Sequence, residues 1–264
     1  AYTDDAVINA DDGCADEIIE TARGNGCRIR TYGIRRDADV VAYNISREGR
    51  YTAFSVRTRE FDRRFQIPLL GAFNVYNALA AICICMDRVD VQFMQKGLKK
   101  VHVPGRMEVF GDGEITVIID YAHNKMSFET LFQSLRDEFP GHRLVSVYGC
   151  PGGKAFLRRK DLGTVSGRMA DLSILTAEDP GYEDVDAISE EIAGHVKAAG
   201  GKAVSIADRA EAVERAIMDA RAGDVIVITG KGDEPFQKCR GKYEPYDGDI
   251  VLTKRFLKAK AKKQ

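Results

Sequence analysis

Residues 143–181 read RLVSVYGCPGGKAFLRRKDLGTVSGRMADLSILTAEDPG. RLVSVYGC (143–150) is a short apolar, β-branched run that stops at Pro151-Gly152-Gly153, a turn signal. RKDLGTVSGRMA reads as a helix in spite of two glycines, and DLSILTAED (171–179) as a second strand with an acidic end. Strand, helix, strand is the unit from which a parallel sheet is built, because a parallel crossover needs a covered connection. The same rhythm extends both ways. Ahead of it lie a strand, EITVIIDYAH (114–123), and an amphipathic helix, SFETLFQSLRDEF (127–139). Behind it come VDAISEEIAGHVKAAG, a helix closed by Gly200-Gly201, the strand KAVSIAD, the helix RAEAVERAIMDAR and the strand GDVIVITG. The second half is therefore expected to be α/β, with a mostly parallel sheet covered by helices on both faces. Ligands of such sheets sit beyond the carboxyl ends of the strands. The turns at 120–123, 150–154, 178–181 and 230–234 are all expected on that edge.

The first hundred residues differ. AVINADDG is a strand running into a turn, residues 28–71 read as short alternating strands, and AFNVYNALAAICICMDRV and VQFMQKGLKKV read as helices. Pro104-Gly105 is a natural boundary between the two halves. The 264 residues suffice for one large or two ordinary domains. A net charge of −1 and the absence of Trp give no general attraction to nucleic acid or membrane. No apolar run has the length of a membrane span, and the first residues have neither the basic nor the apolar part of a signal peptide. Six cysteines without a Cys-x-x-Cys pair suggest a reducing cytoplasm. Cys83 and Cys85, two apart on a helix, point to different faces and do not suggest a metal site. The basic tail KAKAKKQ reads as a solvated helix end. VIVITGKGDEPFQ (225–237) begins like a phosphate-binding turn, yet Gly-x-x-x-x-Gly-Lys-Ser/Thr occurs nowhere in the chain.

The segments INADD (8–12), GAFNVYNALAA (71–81), PGRMEVF (104–110), IDYAHN (119–124), GCPGG (149–153), DRAEAVERAI (208–217) and GKGDEPFQ (230–237) are collinear. Together they resemble the Mur ligase superfamily, in particular the UDP-N-acetylmuramoyl-tripeptide synthetases. The resemblance implies a Rossmann-like C-terminal domain at 104–264, which binds the incoming amino acid and closes over ATP. It implies the final part of the central ATPase domain at 1–103. It further implies ATP with Mg2+ as cofactors, and a UDP-N-acetylmuramoyl-peptide and an amino acid as substrates, joined through an acyl-phosphate. A cytoplasmic monomer is expected, with no nucleic-acid or membrane partner. The family's phosphate loop and magnesium ligands would lie ahead of residue 1, so this stretch alone is expected to be inactive. A non-catalytic binding module and a folylpolyglutamate synthetase-type ligase are alternatives.

Site residues follow from the same matches. Arg106 would reach the ATP phosphates, a task suited to a guanidinium fork. Asp120 would hold the ribose hydroxyls, or else be a turn or helix-cap carboxylate. His123 and Asn124 follow it; His123 would pack beside the adenine or bond locally. Asn74 and Asn77 match positions lining the nucleotide pocket, and Asn is also a common helix cap. For the amino acid, Lys154 falls where relatives carry a carboxylate-gripping arginine, with Arg158 and Arg159 close behind. Glu178-Asp179-Pro180-Gly181 stands where diaminopimelate-adding relatives read Asp-Asn-Pro-Arg, so Gly181 replaces a second such arginine. Glu178 and Asp179 would favour a cationic amino-acid end, or merely cap the next helix. Gly230 and Glu234 belong to a turn that reads Gly-Lys-Gly-His-Glu in relatives; Glu234 would meet an amine of the added amino acid. Asp233 adds negative charge where relatives carry histidine, and Lys231 is expected to be structural.

Overall fold

A computed structural model describes residues 3–111 and 113–262. The chain forms two compact units, Ala1–His102 and Val103–Gln264. The first contains β1 (Asp5–Asn9), α1 (Ala15–Gly24), β2 (Arg28–Gly33), β3 (Val40–Glu48), β4 (Tyr51–Arg57), β5 (Asp62–Ile67), α2 (Ala72–Cys85) and α3 (Val91–Lys99). Its sheet follows chain order, β1-β2-β3-β4-β5. β1, β2 and β3 are parallel, whereas β3, β4 and β5 form an antiparallel meander. Phe54, Val56, Phe65 and Ile67 from the strands pack with Val75, Leu79, Ile82 and Met94 from the helices.

The second unit contains β6 (Glu108–Gly111), β7 (Thr116–Asp120), α4 (Lys125–Glu138), β8 (Leu144–Tyr148), α5 (Leu157–Met169), β9 (Leu172–Leu175) and α6 (Val185–Ala198). It continues with β10 (Ala203–Ser205), α7 (Arg209–Met218), β11 (Val225–Thr229), the hairpin β12 (Phe236–Cys239) and β13 (Lys242–Pro245), and α8 (Asp249–Ala261). The main sheet has the order β10-β9-β8-β11-β7-β6. All pairs are parallel except β6 against β7. Every residue of β8 and β11 is buried, as expected of strands covered on both faces. α7 and α8 cover one face, packing Val213, Ile217 and Leu252 on Val117, Val147 and Ile228. On the other face Phe128 of α4 meets Tyr148 edge-on, with ring centroids 5.1 Å apart. Gly163 and Gly167 explain why α5 tolerates glycine: side chains there would run into Ile192, His195 and Val196 of α6. The two helices meet backbone to backbone.

The sequence does not announce α1, β6 or the β12–β13 hairpin. β6 is an edge strand of four residues, too short for its alternation to stand out, and β13 is exposed throughout and has none. The hairpin turns at Arg240-Gly241, where both residues have positive φ. The basic tail forms the last turn of α8, which ends at Ala261 with Lys262 as its C-cap, and residues 263–264 lie outside the described range.

Candidate functional site

Three turns, after β7, β9 and β11, are tied together at the carboxyl edge of the second unit's sheet. Tyr121 donates its hydroxyl to Glu234 Oε1 at 2.8 Å. Lys231 donates to Glu234 Oε2 at 2.6 Å and to Asp179 Oδ1 at 2.8 Å. Its ammonium lies 5.0 Å from the centre of the Phe236 ring, and the side chain is 1% exposed. Lys231 is thus the brace between two turns, an arrangement that needs both carboxylates to offset its desolvation. Burial alone would raise the Asp179 carboxyl, but Lys231 and the Lys238 N–H outweigh it and hold it below the usual range. The bond to Glu234 pushes the Tyr121 hydroxyl up to about 12.

The turns after β8 and before β6 join the same edge. Gly152 N donates to Asp179 O at 3.0 Å. Gly105, at φ 65°, lies so close to the β11 turn that a Cβ would sit 2.5 Å from Asp233 N. Behind the cluster Arg209 spans the floor. It bonds both Asp249 oxygens, at 2.9 and 2.8 Å, and donates to Ala177 O and Thr229 O, the ends of two of the turns. Neither side chain of the Arg209–Asp249 pair is exposed. These residues are 40 apart in sequence, so no local pattern marks the pair.

Arg106 is exposed, its guanidinium 4.4 Å from the Tyr121 ring centre, with no ion pair among the described residues. Such a cation is held in place yet open to an anion. Asp120 is a buried turn carboxylate, accepting from Met107 N at 2.9 Å and Ala122 N at 2.7 Å; burial raises its pKa. His123 Nδ1 donates to Tyr121 O at 2.8 Å, which leaves Nε2 as an acceptor. Asn124 caps α4 in a reciprocal box with Ser127. Asn74 and Asn77, in the first unit, do not cap α2, whose N-cap is Gly71. Instead Asn77 donates to Asn74 Oδ1, and Asn74 donates to Leu70 O.

The amino-acid set divides. Lys154 is exposed, and Arg158 is half-buried without an ion pair among the described residues. Arg159 is different: its two Nη atoms, each 2.7 Å from a carboxylate oxygen, are taken by Glu183 and Glu191. It fastens α5 to α6 and is withdrawn from the carboxylate-binding set. Glu178 and Asp179 do not cap α6, because Asp184 does. Gly181, at φ 61°, bridges to Cys239, with Lys238 and Arg240 of the hairpin bonding its backbone. Gly230, at φ 102°, packs on the Glu178 carboxyl. Asp233 is exposed. Among the described residues no group of three or more His, Cys, Asp or Glu could hold a metal ion, and no helix is long and apolar enough to cross a membrane.

Residues 105–232 match the family described as Mur ligase, glutamate ligase domain, and residues 2–85 match the Mur ligase middle domain. The chain belongs to the Mur ligase family. The UDP-N-acetylmuramoyl-L-alanyl-D-glutamate–2,6-diaminopimelate ligase of Syntrophomonas wolfei is 34% identical over 97% of this chain and 52% of its own length. The corresponding L-lysine ligase of Enterococcus faecalis is 39% identical over 74% of this chain and 39% of its own. A solved diaminopimelate ligase structure superposes with a TM-score of 0.64 at 30% identity, covering 97% of this chain and 53% of that one. The chain spans about half the length, or less, of the curated Mur ligase relatives it matches.

Proposed function

We propose that the whole protein carrying this chain is an ATP-dependent ligase that adds an amino acid to a UDP-N-acetylmuramoyl-peptide in peptidoglycan precursor synthesis. The observation that carries this is the cluster Tyr121–Glu234–Lys231–Asp179, a polar site braced by a buried lysine where a sheet of this type receives its ligand. Residues 104–264 would form the amino-acid-binding domain. ATP would supply the γ-phosphoryl that converts an acceptor carboxylate into an acyl-phosphate. Arg106 would meet its phosphates, Asp120 its ribose, and His123 and Asn124 its base and surroundings. The free guanidinium of Arg106 and the acceptor Nε2 of His123 fit such a ligand. Magnesium would accompany the ATP, held by ligands that the family resemblance places outside these residues. The protein is expected to act as a cytoplasmic monomer.

For the amino acid, Lys154 and Arg158 would hold the α-carboxylate, with Glu178, Asp179, Gly181, Gly230 and Glu234 lining the remainder. Relatives differ on the amino acid their names give, diaminopimelate in one and L-lysine in another. Gly181 offers no cation to a distal carboxylate. Asp179 and Glu234 already bond Lys231, so among these acids Asp233, which is exposed, is left to meet a distal cationic end. Lysine or ornithine should therefore be preferred over diaminopimelate. The loss of an arginine–carboxylate contact is worth about 1.5–3 kcal/mol, roughly ten- to a hundredfold in selectivity. The test is competition among the three amino acids at equal concentration, with ATP, UDP-N-acetylmuramoyl-L-alanyl-D-glutamate and the whole protein. Products are read by mass. No amino-acid-dependent ADP release would refute the ligase assignment, and a diaminopimelate product in excess would refute the role given to Gly181.

A further inference from the structure

We propose that Glu178 is the proton acceptor for the attacking amine, and so a catalytic residue of the ligation; this rests on the ligase assignment above. Its setting is unlike that of the other acids at the site. Glu178 is 8% exposed, and its carboxyl has no hydrogen bond and no ion pair among the described residues. Asp179, Glu234 and Asp120 all have such partners. The carboxyl is held by close packing. A Cβ on Gly230 would lie 3.1 Å from Glu178 Oε2, and one on Gly149 would lie 3.0 Å from Glu178 N. The residue before it is fixed at both ends, Ala177 N donating to Ala207 O and Ala177 O accepting from Arg209. A carboxyl largely withdrawn from water without a partner is disfavoured in its charged form, and this one sits among the turns that would receive the amino acid.

The groups whose charge bears on it are Arg209 from α7, Lys231 from the β11 turn, Arg158 from α5, Cys150 from the β8 turn, Tyr121 from the β7 end and its neighbour Asp179. Burial dominates over the three cations and pushes the carboxyl up to about 7. A base with that proton affinity is half-ionised at neutral pH and suited to take a proton from an ammonium. Asp179 and Glu234 are poorer bases, since each already accepts from the Lys231 ammonium.

The incoming amino acid arrives as an ammonium, which has no lone pair to attack with. One ammonium proton passes to a Glu178 oxygen, leaving a neutral amine. The nitrogen lone pair then forms the C–N bond to the acyl-phosphate carbon. The C–O bond to phosphate breaks with its electron pair on the phosphate oxygen, and the second nitrogen proton leaves with inorganic phosphate. Glu178 returns its own proton to water.

The experiment uses the whole protein carrying this chain, with Glu178→Gln and Glu178→Asp, and compares two nucleophiles. Lysine needs deprotonation; hydroxylamine is already neutral at pH 7 and needs no base, trapping the acyl-phosphate as a hydroxamate. Glu178→Gln is expected to lower kcat for lysine by about a hundredfold or more and to abolish the acid limb of its pH profile near neutrality. Hydroxamate formation should stay within about threefold, which also serves as the folding control. Glu178→Asp, with the carboxylate withdrawn by one methylene, should restore part of the lysine rate. Equal loss with both nucleophiles, or lysine ligation unchanged in Glu178→Gln, overturns the proposal. Absence of hydroxamate from the unsubstituted protein overturns the ligase assignment, and the proposal with it.

Discussion

Asp249→Ala should be among the most damaging single substitutions in the second unit. Asp249 Oδ1 accepts from Arg209 Nε and from the Tyr246 hydroxyl, and Oδ2 accepts from Arg209 Nη2. Truncation removes all three bonds and strands a guanidinium that has no solvent exposure. Breaking a buried pair in this way costs about 3–5 kcal/mol, because the surviving charge keeps its desolvation penalty. That is a large fraction of the 5–15 kcal/mol typical of a whole domain. Replacing both partners, Arg209→Met with Asp249→Leu, removes the stranded charge. What then remains is the loss of a donor at Ala177 O and Thr229 O and of the acceptor for the Tyr246 hydroxyl, and with no charge left stranded the double variant should be more stable than Asp249→Ala. The assay is urea unfolding of the chain with hydrogen exchange followed at the β11 amides, which reports on the second unit. A cost below about 1 kcal/mol for Asp249→Ala, or a double variant less stable than it, would refute the claim that the two side chains act as one buried pair.

Asp11→Ala should destabilise the first unit by about 1–3 kcal/mol at neutral pH. Burial would raise this carboxyl, but the N–H groups of Ile34, Arg35 and Arg36 and the Tyr76 hydroxyl together bring it down to about 2. Since the folded value lies below the unfolded one, the stabilisation is full above about pH 4 and lost as pH falls through about 2. Acid titrations of the two proteins should converge there; a difference that persists below pH 2 would contradict the assignment. Gly105→Ala should cost about 2 kcal/mol or more, combining a positive φ with a 2.5 Å approach to Asp233 N. Thermal unfolding checks it, and an unchanged midpoint would show that the turn before β6 is not pinned against the β11 turn.

Much of the architecture was legible in the residues. Val145, Val147, Ile226 and Ile228 stand in runs that only a doubly covered strand would carry. Gly200-Gly201 and Pro151-Gly152-Gly153 end elements as such residues do anywhere. The carboxyl edge of the sheet, and the turns collected on it, follow from strand direction alone. The resemblance named the family through motifs that are local in sequence. The β12–β13 hairpin escaped because an exposed ribbon needs no hydrophobic alternation, and β6 because an edge strand of four residues carries too little pattern.

The charge of the site was not legible, because side chains far apart in sequence decide it. Glu178, Asp179, Asp233 and Glu234 read together as a run of acids. Folding separates them: Lys231 binds Asp179 and Glu234, Asp233 remains in solvent, and Glu178 is largely buried with no hydrogen-bond or ion-pair partner among the described residues. Arg159, next to Arg158 in sequence, is turned to Glu183 and Glu191 by the close packing of α5 on α6. The sequence by itself determined the strands, the helices and the edge on which the turns gather, since these depend on periodicity and backbone preference over a few residues. Only the tertiary structure decided which charges are matched and which stay available, since pairing and desolvation depend on distances between residues that the chain brings together last.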